Sequence, residues 1–385
     1  MKLSDIRRLT PVCESHAYFQ TSGFSPKTTA VLEETIRWMH LQNQGPALPW
    51  ISSQVLEMFE DTREKVGQSI NADAEEIVLG ENVTIGINIV ANGIDWQPGD
   101  GVILSNEEHP GNRIPWYNFV DRYGIELRYP TMVNDEAQFL ADFERQFDDK
   151  TRLVAISHVG RETGVRLPVK KMTEIAHQHD VPILLDGAQS YGAIPIDVKD
   201  INCDFYTFSG HKYIMAPQGT GACYVRQDRV DWLKPSWIGS HSQETMDKDG
   251  GMTLHPGARR FEFGTRNLAD QAGFRKALEI WETIGWETVF SYIATYTDRM
   301  KAELQEVPNL IVETPLTYEK SAGIVTFRIP EFEAYALSAS LLEHEQILVA
   351  PAGNTPESIR VSTHVFNTDE EIDRLVSGLC RIVKA

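Results

Sequence analysis

Cysteine is sparse in this chain and poorly placed for structural chemistry. Its four occurrences, Cys13, Cys203, Cys223 and Cys380, lie far apart and form no C-x-x-C pair. That spacing argues against a zinc site and against a secreted disulfide framework, so a reducing, cytoplasmic setting is expected. Long apolar runs are missing too. The opening MKLSDIRRLTPVCESH has no apolar leader core, and no stretch reaches the roughly 18 apolar residues of a membrane-spanning helix. Positive charge is outweighed, with 36 Lys and Arg against 55 Asp and Glu and a formal net charge of −19. Such a chain repels polyanions, which makes nucleic acids and anionic membranes poor partners and favours a small molecule. A dinucleotide fingerprint is also lacking, because Gly219-Thr220-Gly221 precedes a strand-like segment instead of opening a helix.

What is present is an alternation. The 385 residues suit two domains, or one large domain with a satellite, and no repeat interrupts them. KTTAVLEETIRWMHLQ and SSQVLEMFEDTREKVGQSI carry apolar residues at helical spacing. Strand-like runs then recur at EIVLG, GVILS, IELRYP, TRLVAISHV, VPILLD, CDFYTFS and GACYVR, with helical patterns between most of them. This is the signature of an α/β fold with a mainly parallel sheet. After about residue 270 two helical stretches lead into GIVTFRI, ILVAP, SIRVSTH and a last helix TDEEIDRLVSGLCRIV, the pattern of a smaller α+β domain. The polar segment HSQETMDKDGGMTLHPGARR between the two is expected to be an active-site loop.

Ligands of open α/β sheets gather at the carboxyl ends of strands, so the residues that follow each strand carry the chemistry. VPILLD ends in Asp186-Gly187-Ala188-Gln189, CDFYTF is followed by Ser209-Gly210-His211-Lys212, GVILS by His109, and EIVLG by a helix opening through Asn82-Val83-Thr84. A lysine forms a Schiff base with an aldehyde only when neutral, and a desolvated pocket drives its pKa toward that state. Pyridoxal 5′-phosphate is such an aldehyde. Its ring nitrogen needs an acid partner, a role suited to Asp186; its phosphate needs a helix N-terminus and donors, which Val83, Thr84, Ser209 and His211 offer; His109 suits a lid over the ring. A lone lysine is usually a surface charge and a lone strand-end aspartate usually a cap. The two blocks lie 26 residues apart (212 minus 186), with a histidine turn and a helix-opening threonine upstream, and it is this combination that outweighs the bland reading. His177 and His179, two residues apart, do not share a helical face and read as surface residues instead of metal ligands.

At these residues the chain resembles the fold-type I pyridoxal-phosphate enzymes of the class V aminotransferase and cysteine desulfurase group. The block LLDGAQSYGAIPIDVKDINCDFYTFSGHKYIMAPQGTGACYV and the segment NEEHPGNRIPWYNF carry the likeness, which extends from AYFQTSGFSPKT to RVSTHVFNTDEEIDRLVSGL. The resemblance implies a large domain over 23–265 with a mainly parallel seven-stranded sheet flanked by helices. It also implies an N-terminal segment, 1–22, packed with a smaller C-terminal domain, 266–385. Lys212 would hold the cofactor covalently, Asp186 would pair with the pyridine nitrogen, Gln189 would bond the ring oxygen and His109 would stack on the ring. Thr84, Ser209 and His211 would bind phosphate. Thr265, in FEFGTRN, would reach the phosphate of a neighbouring subunit and so implies a homodimer. Arg360, in ESIRVS, would clamp the α-carboxylate of an amino-acid substrate, and Gln20 to Gly23 would line its pocket.

Two departures from that group bear on the reaction. The stretch ILVAPAGNTPESIR holds no cysteine where the desulfurases carry their catalytic one, so no persulfide forms there. SHVGRETG places Arg161 where many relatives have a ring-contacting asparagine; it is either a second anion clamp or an arginine turned to pair with Glu162 or Glu108. A carbanion at Cα has three fates: transamination, epimerisation and loss of a β-substituent. Without a sulfur-accepting cysteine, β-elimination of the C-S lyase kind is the expected reaction, with epimerisation of the isopenicillin N type second and transamination third. A non-catalytic scaffold is disfavoured, because Lys212, Asp186, Gln189 and His109 are all retained.

Overall fold

The computed structural model describes residues 1–133, 135–353 and 357–384. The chain opens with α1 (Leu3–Arg8) and a short strand β1 (Ala17–Tyr18), followed by two long helices, α2 (Thr29–Gln42) and α3 (Pro49–Ser69). Strands and helices then alternate: β2 (Ile77–Gly80), α4 (Val83–Asn92), β3 (Gly101–Ile103), α5 (Ile114–Tyr123), β4 (Glu126–Arg128), α6 (Glu136–Glu144), β5 (Thr151–Ser157), α7 (Val169–Gln178), β6 (Ile183–Asp186), α8 (Val198–Ile201), β7 (Phe205–Ser209) and β8 (Gly221–Val225). Among the described residues these seven strands form one sheet in the order β2-β8-β7-β6-β5-β3-β4. Neighbours from β4 to β7 are parallel, whereas β8 runs against both β7 and β2. The mainly parallel α/β sheet expected from the sequence is therefore present.

Burial explains the pattern. The central strands are apolar and buried on both faces because helices cover both, and successive side chains enter opposite cores. Leu185, Tyr206 and Phe208 pack with Val66, Met172 and Trp281 on one side. Leu184, Phe205 and Leu153 pack with Val90, Trp116 and Phe119 on the other. The seating of α4 against the sheet depends on Gly86, since a β-carbon there would lie 2.1 Å from Thr207 Oγ1. Asn82 caps that helix, its Oδ1 accepting from Ile85 N at 3.1 Å.

The polar stretch at 241–260 departs from expectation. It folds as an antiparallel hairpin, β9 (Gln243–Met246) with β10 (Met252–Leu254), and its strand residues are largely exposed. Alternating Thr245 and Thr253 pair through their hydroxyls across it, a cross-strand match hidden in a segment that reads as polar loop. Next come α9 (Leu268–Ile284), α10 (Trp286–Gln305), β11 (Ile311–Val312), β12 (Ile324–Arg328), α11 (Ala334–Glu345), β13 (Ile347–Leu348), β14 (Ala350–Pro351), β15 (Ile359–Ser362) and α12 (Asp369–Lys384). A four-stranded antiparallel sheet, β11-β12-β15-β14, is backed by α10, α11 and α12. β1 joins this end of the molecule by pairing with β13, and Gln20 bridges to Ser362. Phe274, Leu278 and Trp281 of α9 belong to the main core, and α10 spans the two, with Ile293 in the main core and Met300 in the smaller one. No helix among the described residues is long and apolar enough to cross a membrane.

Candidate active site

Three neighbouring parallel strands end side by side. Ser157 of β5 stands opposite Asp186 of β6, which stands opposite Thr207 of β7, two residues before Ser209. The turns leaving these ends deliver the polar groups. Asp186 is 3% exposed, and its Oδ1 accepts from Ala188 N at 2.8 Å. Burial pushes its carboxyl pKa up, against the pull of the Ala188 N–H and of Lys212. Gln189 Nε2 donates to the Ser22 carbonyl at 3.1 Å, while its Oε1 is buried without a partner. That bond fastens the segment carrying Gly23 to the turn after β6.

Lys212 lies after β7, buried, with its pKa lowered to about 8: burial lowers it, Asp186 raises it, and Arg360 and Arg161 lower it again. His211 beside it stacks on Phe24 at 5.4 Å, is held neutral with a pKa lowered to about 4 by burial and Lys212, and keeps a buried, unpartnered Nδ1. Ser209 Oγ accepts from Val83 N at 3.0 Å, which joins the lysine-bearing turn to the N-terminus of α4. Thr84 and His109 meet at Gly111, where a β-carbon would lie 2.6 Å from Thr84 Oγ1 and 3.0 Å from His109 Nδ1. Nδ1 accepts from Gly111 N at 2.9 Å. Burial, reinforced by Lys212, Arg161 and Arg360, pushes the His109 pKa down to about 3, so a neutral ring faces the site.

Arg360, on β15, reaches in from the smaller sheet. It is 5% exposed, Nη1 donates to the Arg161 carbonyl at 3.1 Å, and Nε has no partner. Burial and then Arg161 lower its pKa to about 10, opposed by Glu162 and Tyr213. Of the two placements open to Arg161 in the sequence, the fold adopts the ion pair: Nη1 lies 3.0 Å from Glu162 Oε1. Thr265 is not among the clustered residues. It is exposed and lines a separate cavity of about 250 Å³ with Leu56, Phe59 and Leu268. His241 lines that cavity too, and His177 pairs with Asp204 at 2.9 Å.

Glu108 is the residue that motif reading passes over. Fully buried, it accepts from Ser105 Oγ (2.5 Å), Ser157 N (2.8 Å), Ser157 Oγ (2.6 Å) and Asn112 Nδ2 (2.7 Å). It thereby clamps the His109 turn to the end of β5, next to Asp186. Its only trace in the sequence is a second acid in NEEHPGN.

The chain matches the Aminotransferase class-V family over residues 17–375. It belongs to that family. A cysteine desulfurase of Escherichia coli (strain SE11) is 35% identical over 349 residues, spanning 86% of this chain and 84% of that protein. A solved complex of the cystine C-S lyase C-DES with its reaction product cysteine persulfide superposes with a TM-score of 0.90 at 28% identity, covering 96% of this chain and 99% of that one. A lysine-to-alanine variant of C-DES, with glycine covalently linked to the PLP cofactor, gives the same TM-score of 0.90 over 97% and 98%. The apo cysteine desulfurase of Thermococcus onnurineus NA1 follows at 0.89 and 27% identity, covering 99% and 98%. The class-V match spans both sheets, the strap before α2 and the first two turns of α12.

Proposed function

We propose that this chain is a pyridoxal-5′-phosphate-dependent C–S lyase that removes a sulfur leaving group from the β-carbon of an amino acid, with pyruvate and ammonia as the other products. The observation that carries this reading is a cluster of Lys212, Asp186, His109 and Arg360 with no thiolate to accept sulfur. Cys203 and Cys223 are core thiols whose pKa values burial raises, Cys13 is pushed up to about 12 the same way, and Cys380 lies on α12. Sulfur then has to leave on the substrate's own fragment.

The residues fit the cofactor. Gln189 Oε1 and His211 Nδ1 are buried and unsatisfied, and burial without a ligand costs such atoms about 1–3 kcal/mol each. Asp186, driven toward its neutral form, regains its charge beside a protonated ring nitrogen. The start of α4 with Val83, Thr84 and Ser209 suits the phosphate, and His109 suits a ring face. When bound, the group supplies an electron sink, a protonated ring that holds the pair left at Cα when the proton departs.

The chain's own groups do the rest. Lys212 would hold the cofactor, and its Nζ, with a pKa near 8, would serve as the base for the Cα proton once free of it. Arg360 holds the α-carboxylate through donors left free by its one bond to Arg161 O. The Cβ–S bond then breaks with its electron pair on sulfur, and the three-carbon remainder hydrolyses to pyruvate and ammonia. The strap at 20–23, tied through Ser22 to Gln189 and Ser362, covers the pocket. The same reading takes the enzyme as a cytoplasmic homodimer, with Thr265, exposed in its own chain, serving the partner's site.

Incubating the reconstituted protein with cystine and with S-methylcysteine tests the reaction. Pyruvate and ammonia are expected in equal amounts, and their loss is expected in Lys212→Ala. Inversion of chirality without pyruvate would overturn the lyase reading.

A further inference from the structure

Glu108 is a buried carboxylate that the elimination chemistry leaves unused, and its surroundings fix its charge. Each of its oxygens meets a donor that cannot accept. Oε1 takes Ser157 N at 2.8 Å, and Oε2 takes Asn112 Nδ2 at 2.7 Å. The Asn112 amide cannot turn over, because its Oδ1 accepts from Trp116 Nε1 at 3.1 Å and its Nδ2 also donates to the Ala155 carbonyl at 3.2 Å. An indole N–H only donates. The hydroxyls of Ser105 and Ser157 complete the set at 2.5 and 2.6 Å. Four donors are the complement of an ionised carboxylate, which only accepts. Burial and then Asp186 push its pKa up to about 7 against the pull of the two serines, so it carries charge near pH 8, where Lys212 becomes neutral.

The place of that charge gives it a use. Ser157 is the register partner of Asp186 on the neighbouring parallel strand, and such partners project to the same face of the sheet from strands roughly 4.8 Å apart. A carboxylate bonded to both the N and the Oγ of Ser157 therefore lies beside Asp186, and it forms no ion pair among the described residues. Neighbouring carboxylates repel, and a buried charge without a counter-ion is costly. Both penalties fall when a cation comes to rest against Asp186.

We propose that Glu108 is a positioning residue whose fixed negative charge, acting alongside Asp186, keeps the proton on the ring nitrogen of pyridoxal 5′-phosphate. Asp186 bonds the ring cation, and Glu108 adds a second attraction across the low-dielectric interior. This rests on the placing of the ring nitrogen at Asp186 and extends it.

The test compares the apoprotein's Kd for pyridoxal 5′-phosphate with that for its deaza analogue, in which C–H replaces the ring nitrogen, by equilibrium dialysis near pH 8. Lys212 and the phosphate donors serve both compounds alike. The ratio of the two Kd values therefore reads the ring charge, and a variant that merely loosens the fold weakens both equally. Glu108→Gln, which keeps the shape, is expected to shrink the preference for pyridoxal phosphate about tenfold, the worth of one unit in the ring pKa. Glu108→Asp, which keeps the charge, is expected to stay within about twofold of the wild type. Should Glu108→Gln not fold, Ser105→Ala with Ser157→Ala removes the two hydroxyl donors and raises the carboxyl pKa past that of the assay, and the same fall is expected. A ratio unmoved by the loss of charge overturns the inference, as does an equal fall in Glu108→Asp or a wild type with no preference to lose. Asp186→Asn is scored separately: a preference that survives it puts the ring nitrogen elsewhere and ends the placement, whereas its collapse there with an unmoved ratio in Glu108→Gln sinks the Glu108 inference alone. Pyruvate release decides the lyase reading independently of both.

Discussion

Lys212 is wrapped in protein to 8% exposure, and its amine feels opposing influences: burial with Arg360 and Arg161 against Asp186. The outcome, a pKa of about 8 against 10.5 for a free lysine, has a direct kinetic consequence. The amine is charged below that value and nucleophilic above it, so the rate at which the apoprotein takes up pyridoxal phosphate should climb as pH rises through about 8 and level off well before 10. Stopped-flow absorbance across pH reads this, and a midpoint near 10.5 would show an unperturbed lysine. The linkage sign agrees: between the folded and unfolded values the unfolded chain binds the extra proton, so apoprotein stability rises with pH in that window. Most of this site was legible in the sequence because each group lies within a few residues of a strand end. Glu108 was not, since its four donors come from Ser105, Asn112 and Ser157 and only folding brings them together. Nor was the choice of Glu162 over Glu108 as the partner of Arg161, which turns on the course of a tight turn.

At the level of elements, the segment that leads to Thr265 is fixed by a buried ion network. Arg63 of α3 donates to Glu262 and to the Ile77 carbonyl, Arg266 donates to Glu262 and the Leu79 carbonyl, and Leu79 N donates to Glu262. Burial alone would raise the Glu262 pKa, but the two guanidinium groups hold it at about 2. Glu262→Gln leaves buried Arg63 with only the half-exposed Glu60 as counter-ion, at 3.3 Å, and a loss of about 3 kcal/mol in urea denaturation is expected, the low end for a broken buried pair. In the wild type this contribution is complete above the ordinary carboxylate value of 4.5 and fades as pH falls toward 2. A variant that unfolds at the wild-type urea concentration would remove the network from the list of stabilising features. Strands were easier to foresee than such cross-links: six of the seven runs of the main sheet stand out because a strand buried on both faces must be largely apolar, whereas β4, at the sheet edge, is the polar and partly exposed Glu126-Leu127-Arg128. The hairpin at 243–254 was hidden because its exposed strands have no apolar face to alternate. α11, with only Ala334, Leu337 and Leu341 buried, offers too narrow a stripe to stand out by period.

For the molecule as a whole, α2 poses a question of surface. Its Val31, Thr35 and Trp38 are buried, in contact with α9, yet the outward face carries Leu32, Ile36 and Met39 at 48%, 42% and 54% exposure. Phe24 and Trp50, before α2 and on α3, are 58% and 63% exposed. A helix apolar on both faces is one that is covered on both, and an outward row at i, i+4 and i+7 is a contact surface awaiting a partner. A chain with net charge −19 repels its own copies at long range, so a stable pair needs such apolar contacts at its centre. Leu32→Glu with Ile36→Glu puts two charges into that centre and should raise the dimer Kd at least about 100-fold, or roughly 2.7 kcal/mol. Sedimentation should therefore show a dimer for the wild type at micromolar concentration and a monomer for the variant, with far-UV dichroism unchanged. Because Thr265 is expected to act on the partner's cofactor, the monomeric variant should also release pyridoxal phosphate faster on dilution, with Lys212, Asp186 and Gln189 untouched. A wild-type chain that sediments as a monomer, or a monomeric variant that keeps its cofactor as tightly as the wild type, would make each subunit a complete site and leave the outward face of α2 to some other partner.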